Sequence, residues 1–252
     1  MLIGLTIVVV MTAFFLPPVP QPTAYHQFAD QRSFLGIPNF GNVVSNLAFI
    51  WSGGAGLAYL LRIYHMPAHM AFRNKMECLP YGVLFFSVIA TALGSMVYHW
   101  IPDHVTLLWD RLPIAIAITA LLAATISERV NPVLGLWSLP ILTGLGILSV
   151  LYWYWTEQQG VGNLNYYAVI QFYSIFLIVL LSLCYPSRYT CAQDIYQVIA
   201  LYALAKFTEL LDMQIYRLTD FLVSGHTLKH LLAALAVYRI VRMLQKRVFL
   251  TK

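Results

Sequence analysis

The sequence predicts an all-α membrane protein of about eight spans, and three observations carry that reading. The chain has 252 residues, of which 60% are hydrophobic and only 10% charged, with a mean hydropathy of +0.72. A water-soluble domain is roughly half apolar and about a quarter charged, so this chain lacks the polar side chains to coat a solvent-facing surface. Its apolar residues fall in stretches of roughly 20, the length of a helix that crosses a bilayer. No stretch alternates apolar and polar residues as a transmembrane barrel requires. Three cysteines cannot staple a chain of this length. The small and scattered Lys and Arg surplus excludes nucleic-acid binding.

The spans are expected at about 2–16, 43–64, 79–100, 105–126, 134–154, 166–184, 193–211 and 222–245. Turn-forming and charged clusters separate them: Pro17-Pro18, Arg73-Asn74-Lys75, Pro102-Asp103, Glu128 to Pro132, and Pro186-Ser187-Arg188. The first stretch has no basic segment before it and no small-x-small cleavage site, so it reads as an uncleaved anchor. With eight spans, one side carries Arg62, Arg73, Lys75, Arg129, Arg188, Arg239, Arg242, Lys246, Arg247 and Lys252. The other side has Arg32, Arg111 and Arg217 near its helix ends. The basic side is expected in the cytoplasm, with both termini. The chain then divides into an anchor at 1–16, an extracytoplasmic loop at 17–42, a seven-helix core at 43–245 and a basic cytoplasmic tail at 246–252. Cys78, Cys184 and Cys191 all map to the cytoplasmic side, where thiols stay reduced, so no disulfide is expected.

Ionisable residues inside a membrane span are costly and tend to be functional. Here they converge. His99 closes the third span, Asp110 opens the fourth, and His226 and His230 lie in the first turns of the eighth, all on the extracytoplasmic side. His226 and His230 are four residues apart, so they share one helix face, about 6 Å apart along the axis. That spacing lets one helix offer two imidazoles to a metal ion, and His99 supplies a third. Three neutral histidines hold zinc with a fourth position open for water, whose pKa the metal lowers to about 7. Asp110 can orient that water and take its proton. Ser95 lies one turn from His99 on the same face and can stabilise an oxyanion.

Each residue also has a plainer reading. His26 and His104 read as interfacial side chains, Ser95 alone as a packing residue, and Asp110 as a partner of Arg111. Glu128 and Arg129 read as a surface pair. His65 and His69 share the four-residue spacing, but Pro67 lies between them and basic residues follow, so they read as loop. The stretch from Tyr25 to Asn46 is either a cap over the cluster or a connecting loop with helix-capping side chains. Lys206 and Glu209, with Asp212 near them, read as an ion pair at i,i+3, and orientation of His226 or His230 by this segment is the second choice.

The combination Ser95-x-x-x-His99, Asp110 and His226-x-x-x-His230 resembles the signature of the alkaline ceramidases. These belong to a superfamily of seven-helix membrane hydrolases that includes the adiponectin and progestin-type receptors. Asn42 to Asn46 is also similar to the entry of the ceramidase first core helix, and the resemblance covers residues 39–245. It implies a seven-transmembrane-helix ceramidase-like bundle plus one extra N-terminal transmembrane helix. It further implies Zn2+ held by His99, His226 and His230, with Asp110 activating water and Ser95 assisting at the oxyanion. The activity implied is hydrolysis of a linear amide in ceramide or a related N-acyl lipid. Eukaryotic members bind calcium through an acidic N-terminal segment, but here Asn39 and the run Phe28 to Arg32 replace it, so no calcium site is expected. The short loops resemble the bacterial branch, which implies a bacterial inner membrane. A receptor or sensor with a structural zinc is the alternative. A transporter would need polar residues through the middles of the second, fifth and sixth spans, which are nearly uncharged.

Overall fold

The computed structural model describes residues 2–66 and 71–250. Pro67 and His69, read above as loop, lie outside the described residues. Eleven α-helices run through the described chain: α1 Leu2–Phe15, α2 Phe40–Ser45, α3 Leu47–Tyr64, α4 Leu79–Trp100, α5 His104–Arg129 and α6 Pro132–Gln158; then α7 Asn165–Ala168, α8 Ser174–Cys184, α9 Asp194–Leu210, α10 Asp212–Leu218 and α11 Gly225–Lys246. No β-strand is present among the described residues, only two isolated bridges.

Five segments are long and apolar enough to cross a membrane: Phe40–Tyr64, Lys75–Trp100, His104–Arg129, Pro132–Gln158 and Asn165–Cys184. The remaining three expected spans are helical too, but α1 and α9 are shorter, and α11 carries Lys229, Arg239, Arg242 and Lys246. The helices depart from the expected pattern at three places. Asn46 divides α2 from α3. A π-helical turn over Val169–Tyr173 interrupts the sixth stretch. The polar run after Leu211, expected as a connection, forms the short helix α10.

Side-chain caps fix the helix starts that matter for the site. Asp103 accepts from the Thr106 backbone N–H at 2.7 Å in a reciprocal capping box, which sets the first turn of α5. Ser224 accepts from the Thr227 N–H at 3.0 Å and starts α11 one residue before His226. Within its apolar window α5 is 72% buried, against 28% for α6, so α5 is the central helix. Its alanines, including Ala115, Ala120 and Ala123, are buried and allow neighbouring helices close approach.

Two close approaches depend on glycine. A Cβ on Gly94 would lie 2.1 Å from the Trp109 carbonyl oxygen, so α4 and α5 can touch at this level only without one. A Cβ on Gly225 would lie 2.1 Å from the Thr208 carbonyl oxygen, which fixes α11 against α9. These contacts adjoin Ser95, Asp110 and His226 in sequence. Backbone packing therefore sets the relative height of the three helices where the ionisable residues meet.

Candidate metal centre

His99 from the end of α4 and His226 and His230 from the start of α11 come together in one buried group. Their candidate ligand atoms all lie within 4.8 Å of one another. The ring centroids are 4.8 Å apart for His99 and His226, 5.0 Å for His99 and His230, and 4.9 Å for His226 and His230.

Hydrogen bonds fix much of the surrounding geometry. The Ser45 hydroxyl donates to the Asn42 carbonyl at 3.1 Å, so its oxygen accepts from Nδ1 of His230 at 2.8 Å. That assigns the proton to Nδ1 and leaves Nε2 of His230 with a free lone pair. His99 is anchored through its carbonyl, which accepts from Asn39 at 2.8 Å, while its buried Nδ1 has no hydrogen-bond partner. The His226 backbone N–H donates to Asp212 at 2.7 Å. Asp212 thus positions the helix that carries the imidazole rather than the imidazole itself. Lys229 donates to Nε2 of His226 at 3.0 Å and to Glu209 at 2.7 Å, and Lys206 pairs with the same carboxylate. The expected Lys206–Glu209 pair is present, with Lys229 as its third member.

Three buried imidazoles and an orphaned buried ring nitrogen fit a metal ion. Nitrogen donors of this kind suit zinc and several first-row neighbours, and the donor set alone does not identify the metal.

Ser95 and Asp110 are both buried and line a cavity of about 320 Å³ together with His230. Asp110 stands outside the close group of three imidazoles. The plainer alternative, a pair with Arg111, is not formed: no Arg111 nitrogen lies within 4.0 Å of any carboxylate oxygen among the described residues. The two side chains leave adjacent positions of α5 about 100° apart, so they point to different neighbours. Arg111 instead donates to Gln21 at 2.5 Å and packs over Trp153. From its polar end the cavity continues between apolar side chains such as Leu84, Val88, Leu121 and Ile240. The helical rise from Asp110 to Leu121 gives it a length on the order of 16 Å.

The stretch from Tyr25 to Asn46 covers the histidines. Phe28 is buried, with its ring 4.5 Å from that of His99 and 5.2 Å from that of His226. The Ala29 N–H donates to Asp212 at 2.9 Å. Asp30 pairs with Arg32 at 2.8 Å and accepts from Tyr216 at 3.2 Å, while Arg32 reaches the Leu222 carbonyl at 2.8 Å. Burial pushes the Asp30 carboxyl up, but the hydrogen bonds and charge of Arg32 outweigh it and hold the group below the usual carboxylate range. His26 meets His104 at 3.3 Å and Tyr98 at 3.1 Å, where burial and then the second imidazole push its pKa down.

Sequence reasoning missed Arg111, Gln21, Phe28 and the Ser45–His230 bond. For Gln21 and Phe28 the signal was the loop's position on the same side as the histidines, and for Arg111 its place beside Asp110 in α5. Glu128 also departs from expectation. It pairs with Arg247 and accepts from Tyr81, while Arg129 donates to the carbonyls of Ser182 and Tyr185. No protein-family model matches the chain, and no curated protein matches it.

Proposed function

We propose that the chain is a zinc-dependent membrane amidohydrolase of ceramidase type that cleaves the amide bond of ceramide or a related N-acyl lipid. The observation that supports this most is the buried three-imidazole group, one member of which, His230, lines a deep apolar cavity together with Ser95 and Asp110. Zinc at His99, His226 and His230 would supply Lewis acidity and a water acidified to near neutral pH.

The chain's own residues supply the rest. The apolar walls hold an acyl chain and aim its amide at the polar end. Asp110 takes a proton from the attacking water as the new C–O bond forms and returns it to the nitrogen as the C–N bond breaks. The Ser95 hydroxyl donates to the oxygen on which negative charge develops. Phe28 and the rest of the cap keep bulk water from the imidazoles. In full, the proposal is an eight-span protein in a bacterial inner membrane, both termini cytoplasmic, its site near the extracytoplasmic face. The resemblance to the alkaline ceramidases and the placement of Lys and Arg support that finer reading.

The test combines metal analysis with lipid hydrolysis by the purified full chain. A stoichiometric metal and chelator-sensitive fatty-acid release from N-acyl lipids, both lost in His226→Ala, are expected. Bound metal with no cleavage of any lipid would favour a sensor with a structural metal, and absence of metal in every preparation would sink both readings.

A further inference from the structure

The strongest feature not used above is Arg111. It is 6% exposed and lines the same cavity as Ser95 and Asp110. Its guanidinium sits among three rings, with centroids at 4.3 Å for Trp153, 5.0 Å for Tyr167 and 5.4 Å for Tyr25. Its one hydrogen-bond acceptor is the neutral side-chain carbonyl of Gln21, and its Nη1 has no partner. Glu157 holds this arrangement from behind, accepting from the Gln21 backbone N–H at 2.6 Å and from the Trp153 indole at 3.0 Å. A buried guanidinium without a carboxylate is costly, and its planar fork matches carboxylate and phosphate groups.

The surrounding charge points the same way. Arg111, Lys206 and Lys229 line the cavity against only Asp110 and Glu209, and both lysines are engaged by Glu209. The lining residues thus carry one positive charge in excess, with Glu157 outside the lining, behind Gln21 and Trp153. Trp153 and Tyr167 are buried, whereas Tyr25 is half-buried on a short turn of the cap. Tyr25 is therefore the one wall of the box that can give way without disturbing a transmembrane helix.

We propose that Arg111 is a specificity-determining residue that binds an anionic group, a carboxylate or phosphate, on the polar end of an amphiphilic ligand whose acyl chain fills the cavity. The anion reaches Nη1 from the cavity as Tyr25 moves aside, and the guanidinium keeps its stacking on Trp153. This rests on the cavity being the lipid site. It narrows that reading from N-acyl lipids in general to those with an acidic headgroup.

Binding rather than turnover tests it, so the outcome does not depend on hydrolysis. The full chain in neutral detergent is offered four probes, with binding followed by native mass spectrometry and thermal shift. N-oleoylglycine is compared with neutral N-oleoylethanolamine, and ceramide 1-phosphate with ceramide. The acidic member of at least one pair is expected to bind about tenfold or more tightly, and the pair that responds identifies carboxylate or phosphate. Arg111→Gln should reduce that preference to parity while leaving neutral-probe affinity unchanged, which also shows that the variant is folded. Arg111→Lys should restore part of it. His226→Ala should keep it, placing the anion at the guanidinium and not at a metal. Equal binding of acidic and neutral probes, or a preference that survives Arg111→Gln, overturns the proposal while leaving the lipid reading intact. Binding of none of the four overturns both.

Discussion

The protein buries two arginines in similar aromatic surroundings, and they differ in one respect. Arg247, at the end of α11, lies 4.3 Å from the Phe72 and Tyr189 ring centroids and 5.2 Å from that of Tyr81. Glu128 balances its charge, and Tyr189 in turn donates to Glu77 at 2.5 Å. Arg111 has three rings as well, but faces a cavity and a neutral amide in place of an acid. A closed, charge-balanced cluster holds elements together. An open one with charge left over is where a ligand has something to complete. An unmet nitrogen alone does not make the difference, since Nη2 of Arg247 has no partner either; the cavity and the missing acid do.

The largest expected effect tests the closed cluster. Glu128→Gln leaves Arg247 buried without its counter-charge and should cost about 3–5 kcal/mol, whereas Arg111→Met should change stability by no more than about 1 kcal/mol. Thermal unfolding in detergent compares them, and equal losses would erase the distinction. Gly94→Ala comes next. Its new methyl meets the Trp109 carbonyl, so a loss of about 1–3 kcal/mol is expected, together with weaker metal binding because α4 shifts against α5. Unaltered melting and metal content would mean that this contact does not set the site.

The third effect sharpens the open side of the contrast, where His230 lines the same cavity as Arg111. Ser45→Ala removes the acceptor that fixes the His230 tautomer and should weaken metal affinity about 10–100-fold at nearly constant stability. Competition with a calibrated chelator measures it, and unchanged affinity refutes the tautomer assignment. The smallest effect concerns the cap. The pKa of His26 is lowered, so its contribution is complete above its ordinary value of about 6.5 and fades as pH falls through the folded value. The pKa of Asp30 is lowered too, and its contribution fades lower still, as pH falls below the ordinary carboxylate value of about 4. Hydrogen-exchange protection of residues 17–39, taken relative to the intrinsic rate at each pH, should therefore fall on acidification while the helices keep theirs. Constant protection between about pH 7.5 and about pH 4 would show that His26 does not anchor the cap, and constancy down to about pH 2 would show the same of Asp30.

The sequence made some of this visible and hid the rest for identifiable reasons. Helix-end positions of His99, Asp110, His226 and His230 could be read by tracing apolar stretches across a bilayer, because crossing parity alone decides which ends share a side. Spacing put His226 and His230 on one face. What it could not supply was the rotation of each helix about its own axis. Neighbours in sequence, Asp110 and Arg111, could therefore stand as partners in the plainer reading although adjacent helical positions diverge. Glu128 and Arg247 lie 119 positions apart and meet only through the packing of α5 against the chain end. The cap was legible as a possibility from its side of the membrane, but nothing in its pattern selected Phe28 over Phe34. Phe28 is buried against the imidazoles, while Phe34 is 57% exposed.

The double grip of Asp212, on Ala29 and on His226, has a consequence for the order of assembly. The cap leaves the ribosome long before α10 and α11, which carry its anchors. Asn42 likewise has to wait for Ser224 and Thr227. The nascent chain should therefore carry an undocked cap until α11 is made, and two of the three histidines of the candidate centre arrive on that same helix. Stalled chains ending before Gly225 should leave residues 17–39 open to protease, and full-length chains should close them. The site then matures in one late step, with no half-built centre to capture metal during synthesis.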